Sequence, residues 1–153
     1  MTAKRFLLLP LVLIFAAPSV FSAEELLPFP PEAIFVATYL GQAELVREIL
    51  AAGVDTDYRN GFGDTVLHVA MFQSNLMVVR LLLDYGFDPN ATIPRSGSTP
   101  LHNAVSANNV HAARLLLQHG ANRFIRDRNG RTALDIARLE EKRDLVFLLL
   151  YDR

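Results

Sequence analysis

The sequence predicts an all-α solenoid of about four helix-turn-helix repeats joined by short β-hairpin-like turns, and two sets of markers in the same phase carry that prediction. Gly53, Gly86 and Gly120 close three similar leucine-rich segments, residues 45–50, 78–83 and 112–117, and recur at intervals of 33 and 34 residues. A period near 33 with a turn and two helical stretches per unit marks a stacked array. The second set runs Gly63-Asp64-Thr65-Val66-Leu67-His68-Val69-Ala70, then Gly97-Ser98-Thr99-Pro100-Leu101-His102-Asn103-Ala104, then Gly130-Arg131-Thr132-Ala133-Leu134-Asp135-Ile136-Ala137.

Taken in order, the first element reads as an export signal over residues 1–23. Lys4 and Arg5 precede an uncharged apolar stretch from Phe6 to Ala17, then small residues and Glu24-Glu25, which is the layout of a secretory signal. Cleavage after Ser22 or Ala23 is expected. Pro10 interrupts the stretch, which is shorter than the roughly 20 residues a spanning helix needs, so no stable membrane insertion is expected after cleavage. Residues 24–153 then form one domain, with repeats at about 27–59, 60–92, 94–126 and 127–153. Repeat one starts from Pro28-Phe29-Pro30-Pro31 in place of a hairpin and puts Phe35 at the histidine position, as a terminal cap would.

The inner repeats follow one recipe. Asn60-Gly61-Phe62-Gly63, Pro94-Arg95-Ser96-Gly97 and Asp127-Arg128-Asn129-Gly130 are rich in turn formers and read as projecting hairpin tips. One extra residue between Gly86 and Gly97 predicts a loosened hairpin around Ile93-Pro94. The hydroxyls of Thr65, Thr99 and Thr132 can cap the following helix, and Pro100 suits a first helical position because no amide partner is needed there. Leu67, Leu101 and Leu134 belong to the core, Ala70, Ala104 and Ala137 allow close approach, and the leucine-rich second helices fill the space between repeats. Glycine at 53, 86 and 120 permits a left-handed helix stop. At the far end, Glu140-Glu141-Lys142-Arg143-Asp144 puts charge where inner repeats carry Asn75-Leu76 or Asn109-Val110, again as a cap. Phe147 replaces the arginine of Arg47, Arg80 and Arg114, and an apolar run to Tyr151 follows. That tail is expected to pack on its own repeat in a monomer, with a small self-association surface as the alternative.

Composition narrows the function classes. Removing the signal leaves 13 basic against 16 acidic residues, without the basic footprint of a nucleic-acid binder. Zero cysteine excludes disulfides, zinc-thiolate sites and thiol nucleophiles, and suits an oxidising compartment. The stretch from Asp55 to Gly61 has its glycine one place late for a calcium loop, and Val66 stands where the closing glutamate belongs. Gly61-Phe62-Gly63 lacks the third glycine of a dinucleotide fingerprint, and neither a nucleophile elbow nor a phosphate loop occurs. No metal and no cofactor is expected. Asn90-Ala91-Thr92 is a glycosylation acceptor only in a eukaryotic secretory pathway.

The second marker set resembles the ankyrin repeat, whose signature is Gly-x-Thr-Pro-Leu-His-x-Ala, over about Pro31 to Arg153. The resemblance implies that His68 and His102 tie the threonine hydroxyl to the adjacent hairpin backbone. Stacked helices about 8–10 Å apart hold them too far from one another to share an ion. It also implies a concave face, made of hairpin tips and the exposed side of each first helix, that contacts a protein partner. On this sequence that face maps to Tyr39 and Leu40; to Arg59, Phe62, Asp64, Phe72 and Gln73; to Arg95, Ser96, Ser98, Ser106 and Ala107; and to Arg128, Asn129, Arg131, Leu139 and Glu140. Aromatics grade into arginines, and the pairing of rigid aromatics with arginine is the composition of an interface hot spot. The expected function is an exported, non-catalytic binding module of the bacterial periplasm that inhibits or stabilises an enzyme, for instance as an immunity protein. A secreted effector acting on host proteins is the alternative. A small envelope hydrolase using Asp64, His68 and His102 lacks a nucleophile or paired carboxylates.

Overall fold

Helices begin readily where a side chain can hold the first free amides, and from residue 65 to residue 132 threonine and asparagine do so in alternation. The computed structural model describes residues 29–151; the expected export signal and its cleavage position lie outside the described residues. Eight α-helices are described: α1 Ala33–Tyr39, α2 Ala43–Ala51, α3 Val66–Ala70, α4 Leu76–Tyr85, α5 Pro100–Ser106, α6 Val110–Gln118, α7 Ala133–Leu139 and α8 Arg143–Tyr151. Thr65, Thr99 and Thr132 form capping boxes at the starts of α3, α5 and α7. Asn75 and Asn109 cap α4 and α6 through their side-chain oxygens, accepting from Met77 N at 3.1 Å and Ala112 N at 3.0 Å. Gly53, Gly86 and Gly120 have φ of 88°, 102° and 83°, the left-handed geometry that ends a helix without a Cβ penalty.

Each pair packs against the next, α1, α3, α5 and α7 forming one row and α2, α4, α6 and α8 the other. Ala37, Ala70, Ala104 and Ala137 are completely buried, as are Ile34, Leu67, Leu82 and Leu116. Small residues bring the helix axes together and leucines fill the remaining volume, so each unit completes its neighbour's core.

The same asparagines that cap also clasp the preceding repeat. Asn75 Nδ2 donates to Gly41 O at 2.8 Å, and Asn109 Nδ2 donates to Met71 O at 3.1 Å and Gln73 O at 2.9 Å. Lys142 holds the equivalent place in the last repeat, and its Nζ donates to Val105 O at 2.6 Å and Ser106 O at 2.8 Å. Within the charged run at 140–144, therefore, Lys142 turns inward to the preceding repeat while its neighbours face solvent.

Two local expectations change. The hairpin at Ile93-Pro94 is closed, not loosened: Ile93 N donates to Ser98 O at 2.9 Å and Gly97 N to Ile93 O at 2.8 Å. The extra residue widens the turn by one position and leaves its closing bonds intact. The apolar tail divides, with Leu145, Leu148 and Leu149 buried but Phe147, Leu150 and Tyr151 exposed and the Phe147 and Tyr151 rings 5.0 Å apart. Packing on its own repeat accounts only for the first three.

Thr38 is fully buried at the place held by Met71 and Val105, and its hydroxyl has no hydrogen-bond partner among the described residues. A buried hydroxyl without a partner keeps its desolvation cost. Thr38→Val, nearly isosteric, is expected to stabilise the fold by about 1 kcal/mol, read as a higher urea midpoint at unchanged slope.

Candidate protein-binding face

The tips are positioned by the histidines beneath them. His68 Nδ1 lies 3.2 Å from Thr65 N and 2.8 Å from its Oγ1, while Nε2 lies 3.1 Å from Ser98 O in the next hairpin. His102 repeats this with Thr99 at 3.1 and 2.8 Å and with Arg131 O at 3.1 Å. An amide can only donate and a carbonyl only accept, so the ring is neutral with its proton on Nε2. Both ring nitrogens of each histidine are occupied, leaving neither for proton transfer or metal. Asp135 holds the third equivalent place; its Oδ2 accepts from Thr132 N at 2.9 Å and Oγ1 at 2.8 Å.

Burial pushes both histidines below their ordinary pKa, and the carbonyls that accept from Nε2 only partly offset this. The unfolded chain then takes up protons that the folded chain refuses, so stability is full above the unfolded value near 6.5 and declines as pH falls below it. Thermal melts at pH 7.5 and pH 5.5 are expected to show a lower midpoint in acid, and His102→Asp, which removes one of the two buried imidazoles, narrows that difference.

The last hairpin has its own buried anchor. The Asp127 side chain accepts from Arg131 N, Arg131 Nε, Arg131 Nη2 and Asn129 N at 2.9–3.1 Å. Burial alone raises its pKa, but these donors outweigh it and hold the group below the ordinary carboxylate value.

The first two repeats carry an apolar hollow of about 480 Å³ between α1 and α3, lined by Phe35, Val36, Tyr39, Leu40, Tyr58 and Val69 with Glu32 at its edge. Val36, Tyr39 and Leu40 lie three and four residues apart on one helix face and are 58%, 66% and 58% exposed. Phe35 and Tyr58 meet edge to face at 6.0 Å, and Tyr58 OH donates to Glu32 Oε1 at 2.6 Å. That bond holds Glu32 below its ordinary pKa and raises Tyr58.

The sequence-predicted contact residues separate into groups. Tyr39 and Leu40 line this hollow; Phe72 and Gln73 line a different one of about 460 Å³, with Ala107 and residues of the α5–α6 turn; Phe62, 80% exposed, lines neither. The three aromatics therefore do not converge on one cavity. Arg59 Nη1 donates to Gly63 O at 2.9 Å and Thr92 O at 3.0 Å, and Asp64 Oδ2 accepts from Asn60 Nδ2 at 3.1 Å. Arg59 thereby ties its hairpin to the next, while Asp64 with Asn60 and Arg131 with Asp127 each hold their own hairpin closed. Ser96 Oγ accepts from Ser98 N, and Ser98 O faces His68. Arg95, Ser106, Arg128, Asn129, Leu139 and Glu140 are exposed. Sequence reasoning missed Phe35, Val36, Tyr58 and Val69; the spacing of Val36 from Tyr39 was the available signal. Asn90 is engaged at both ends of its amide, donating to Gly120 O at 3.2 Å and accepting from Asn122 N at 2.7 Å, so a glycan there would break an inter-repeat tie.

Comparison with known families matches residues 67–117 to "Ankyrin repeats (many copies)" and residues 93–153 to "Ankyrin repeats (3 copies)". Among curated proteins, the chain is 36% identical over 106 residues to cyclin-dependent kinase 4 inhibitor B of Bos taurus, covering 69% of this chain and 80% of that one. It is 33% identical over 115 residues to the Homo sapiens protein of the same name, covering 75% and 83%. Cyclin-dependent kinase inhibitor 2A of Monodelphis domestica is 32% identical over 109 residues, covering 71% and 63%.

Proposed function

Since the chain belongs to the ankyrin repeat family, we propose that it is a non-catalytic binding module that is exported to the periplasm and grips a protein there through its concave face. The observation that carries the reading is the water-exposed apolar hollow of Val36, Tyr39 and Leu40, close to the exposed Phe62 tip. Large apolar side chains held open on rigid helices lose little freedom on binding, which suits an interface anchor. Inhibition of an enzyme is the role favoured. The relatives' names describe kinase inhibitors, which offers an analogy for an array of this size acting on an enzyme by occupying it. In the periplasm that role corresponds to an immunity protein neutralising a lytic enzyme. Export rests on the residues before Glu24.

The test is cross-linked capture from a periplasmic extract. Tyr39→Ala with Phe62→Ala is expected to leave helicity unchanged and weaken capture by about 2 kcal/mol or more, roughly thirtyfold. Unchanged capture would move the site off this face. Fractionation separates the readings of location, since recovery from the culture medium would favour an effector acting outside the cell.

A further inference from the structure

Charge is sorted along the stack. Residues 27–92 carry eight carboxylates against three arginines, whereas residues 94–126 carry four arginines and no acidic residue. At the tips the sorting becomes a site. The guanidinium groups of Arg59, Arg126 and Arg131 are occupied by hairpin carbonyls or carboxylates. Arg95 and Arg128 are exposed and have no ion-pair partner among the described residues. They stand 33 residues apart, each two places before its tip glycine. Their tips are fastened together, with Arg128 N donating to Ser96 O at 2.8 Å. The fit between them needs Gly97, where a Cβ would come within 3.0 Å of Arg128 N at a φ of +71°. Two cations are thus presented on one stiff ledge, with the apolar hollow further along toward α1.

Resting on the reading of this face as the partner site, we infer that the partner presents an extended segment in which an apolar anchor and a cluster of carboxylates are spaced apart. The anchor fills the hollow at Val36, Tyr39 and Leu40, and the carboxylates reach Arg95 and Arg128. Repeats stacked about 10 Å apart place the ledge roughly 15–25 Å from the hollow, which about five to eight extended residues span at about 3.3 Å each. A uniform polyanion such as nucleic acid fits poorly, because its far end would lie over the carboxylate-rich first two repeats.

The probe is a fluorescein-labelled 14-residue peptide with a Leu-Phe pair and, about seven residues on, three aspartates, followed by anisotropy. The aspartate peptide is expected to bind at least tenfold tighter than its lysine counterpart and to lose about fivefold in affinity between 50 and 250 mM salt. Arg95→Glu with Arg128→Glu should abolish the preference, and Arg95→Gln with Arg128→Gln should reduce it, with circular dichroism confirming both folds. Equal binding of the two peptides, no binding of the aspartate peptide, tighter binding of oligo-dT, or an unaffected charge-reversed variant would overturn the inference. If capture of the partner is lost in the Tyr39→Ala, Phe62→Ala protein while the aspartate peptide fails, this inference falls alone. Capture that survives in that variant removes the concave-face reading itself.

Discussion

Leu101→Ala is expected to lower the unfolding free energy by about 2–5 kcal/mol, read from urea denaturation followed by circular dichroism at 222 nm. Leu101 is 1% exposed on α5, which packs against α3, α6 and α7. Truncation opens a cavity between units whose backbones are already pinned by inter-repeat bonds, so little collapse can relieve it. Leu134→Ala, at the half-buried equivalent position of the last repeat, should cost less than half as much. A near-neutral result at Leu101 would contradict the register of the whole array.

His102→Ala is the second large effect, expected at about 3–5 kcal/mol. It removes the acceptor for Thr99 N and the partner of Arg131 O, and each buried polar group left unsatisfied costs roughly 1–3 kcal/mol. His102→Asp distinguishes the two halves of that loss. Aspartate can hold the helix start as Asp135 does for Thr132, but it has no proton for the next hairpin, so an intermediate midpoint is expected. If His68→Ala with His102→Ala folded normally and lost a chemical reaction, a catalytic role would replace the structural one.

How far these properties were legible in the chain depends on their range. Thr65, Thr99 and Thr132 were readable because a cap involves residues three apart, and the repeat period announced itself twice. Tyr58 was not, because its place in the hollow depends on Glu32, 26 residues away. Arg59 and Arg131 looked like free contact residues, since only hairpin closure shows which carbonyl or carboxylate a long side chain finds. The closure at Ile93 was misread for a related reason: an inserted residue was counted as slack, whereas the turn absorbed it. Phe147 still has no account beyond its contact with Tyr151.

Asn75 and Asn109 each cap their own helix while gripping the unit before, and Lys142 ties the last unit to the carbonyl end of α5, so local melting cannot stay local. Losing one such residue releases a helix end and a boundary together, and the array should come apart as a single cooperative transition instead of fraying unit by unit. A ligand that bridges even two adjacent units would then raise the melting temperature of all of them.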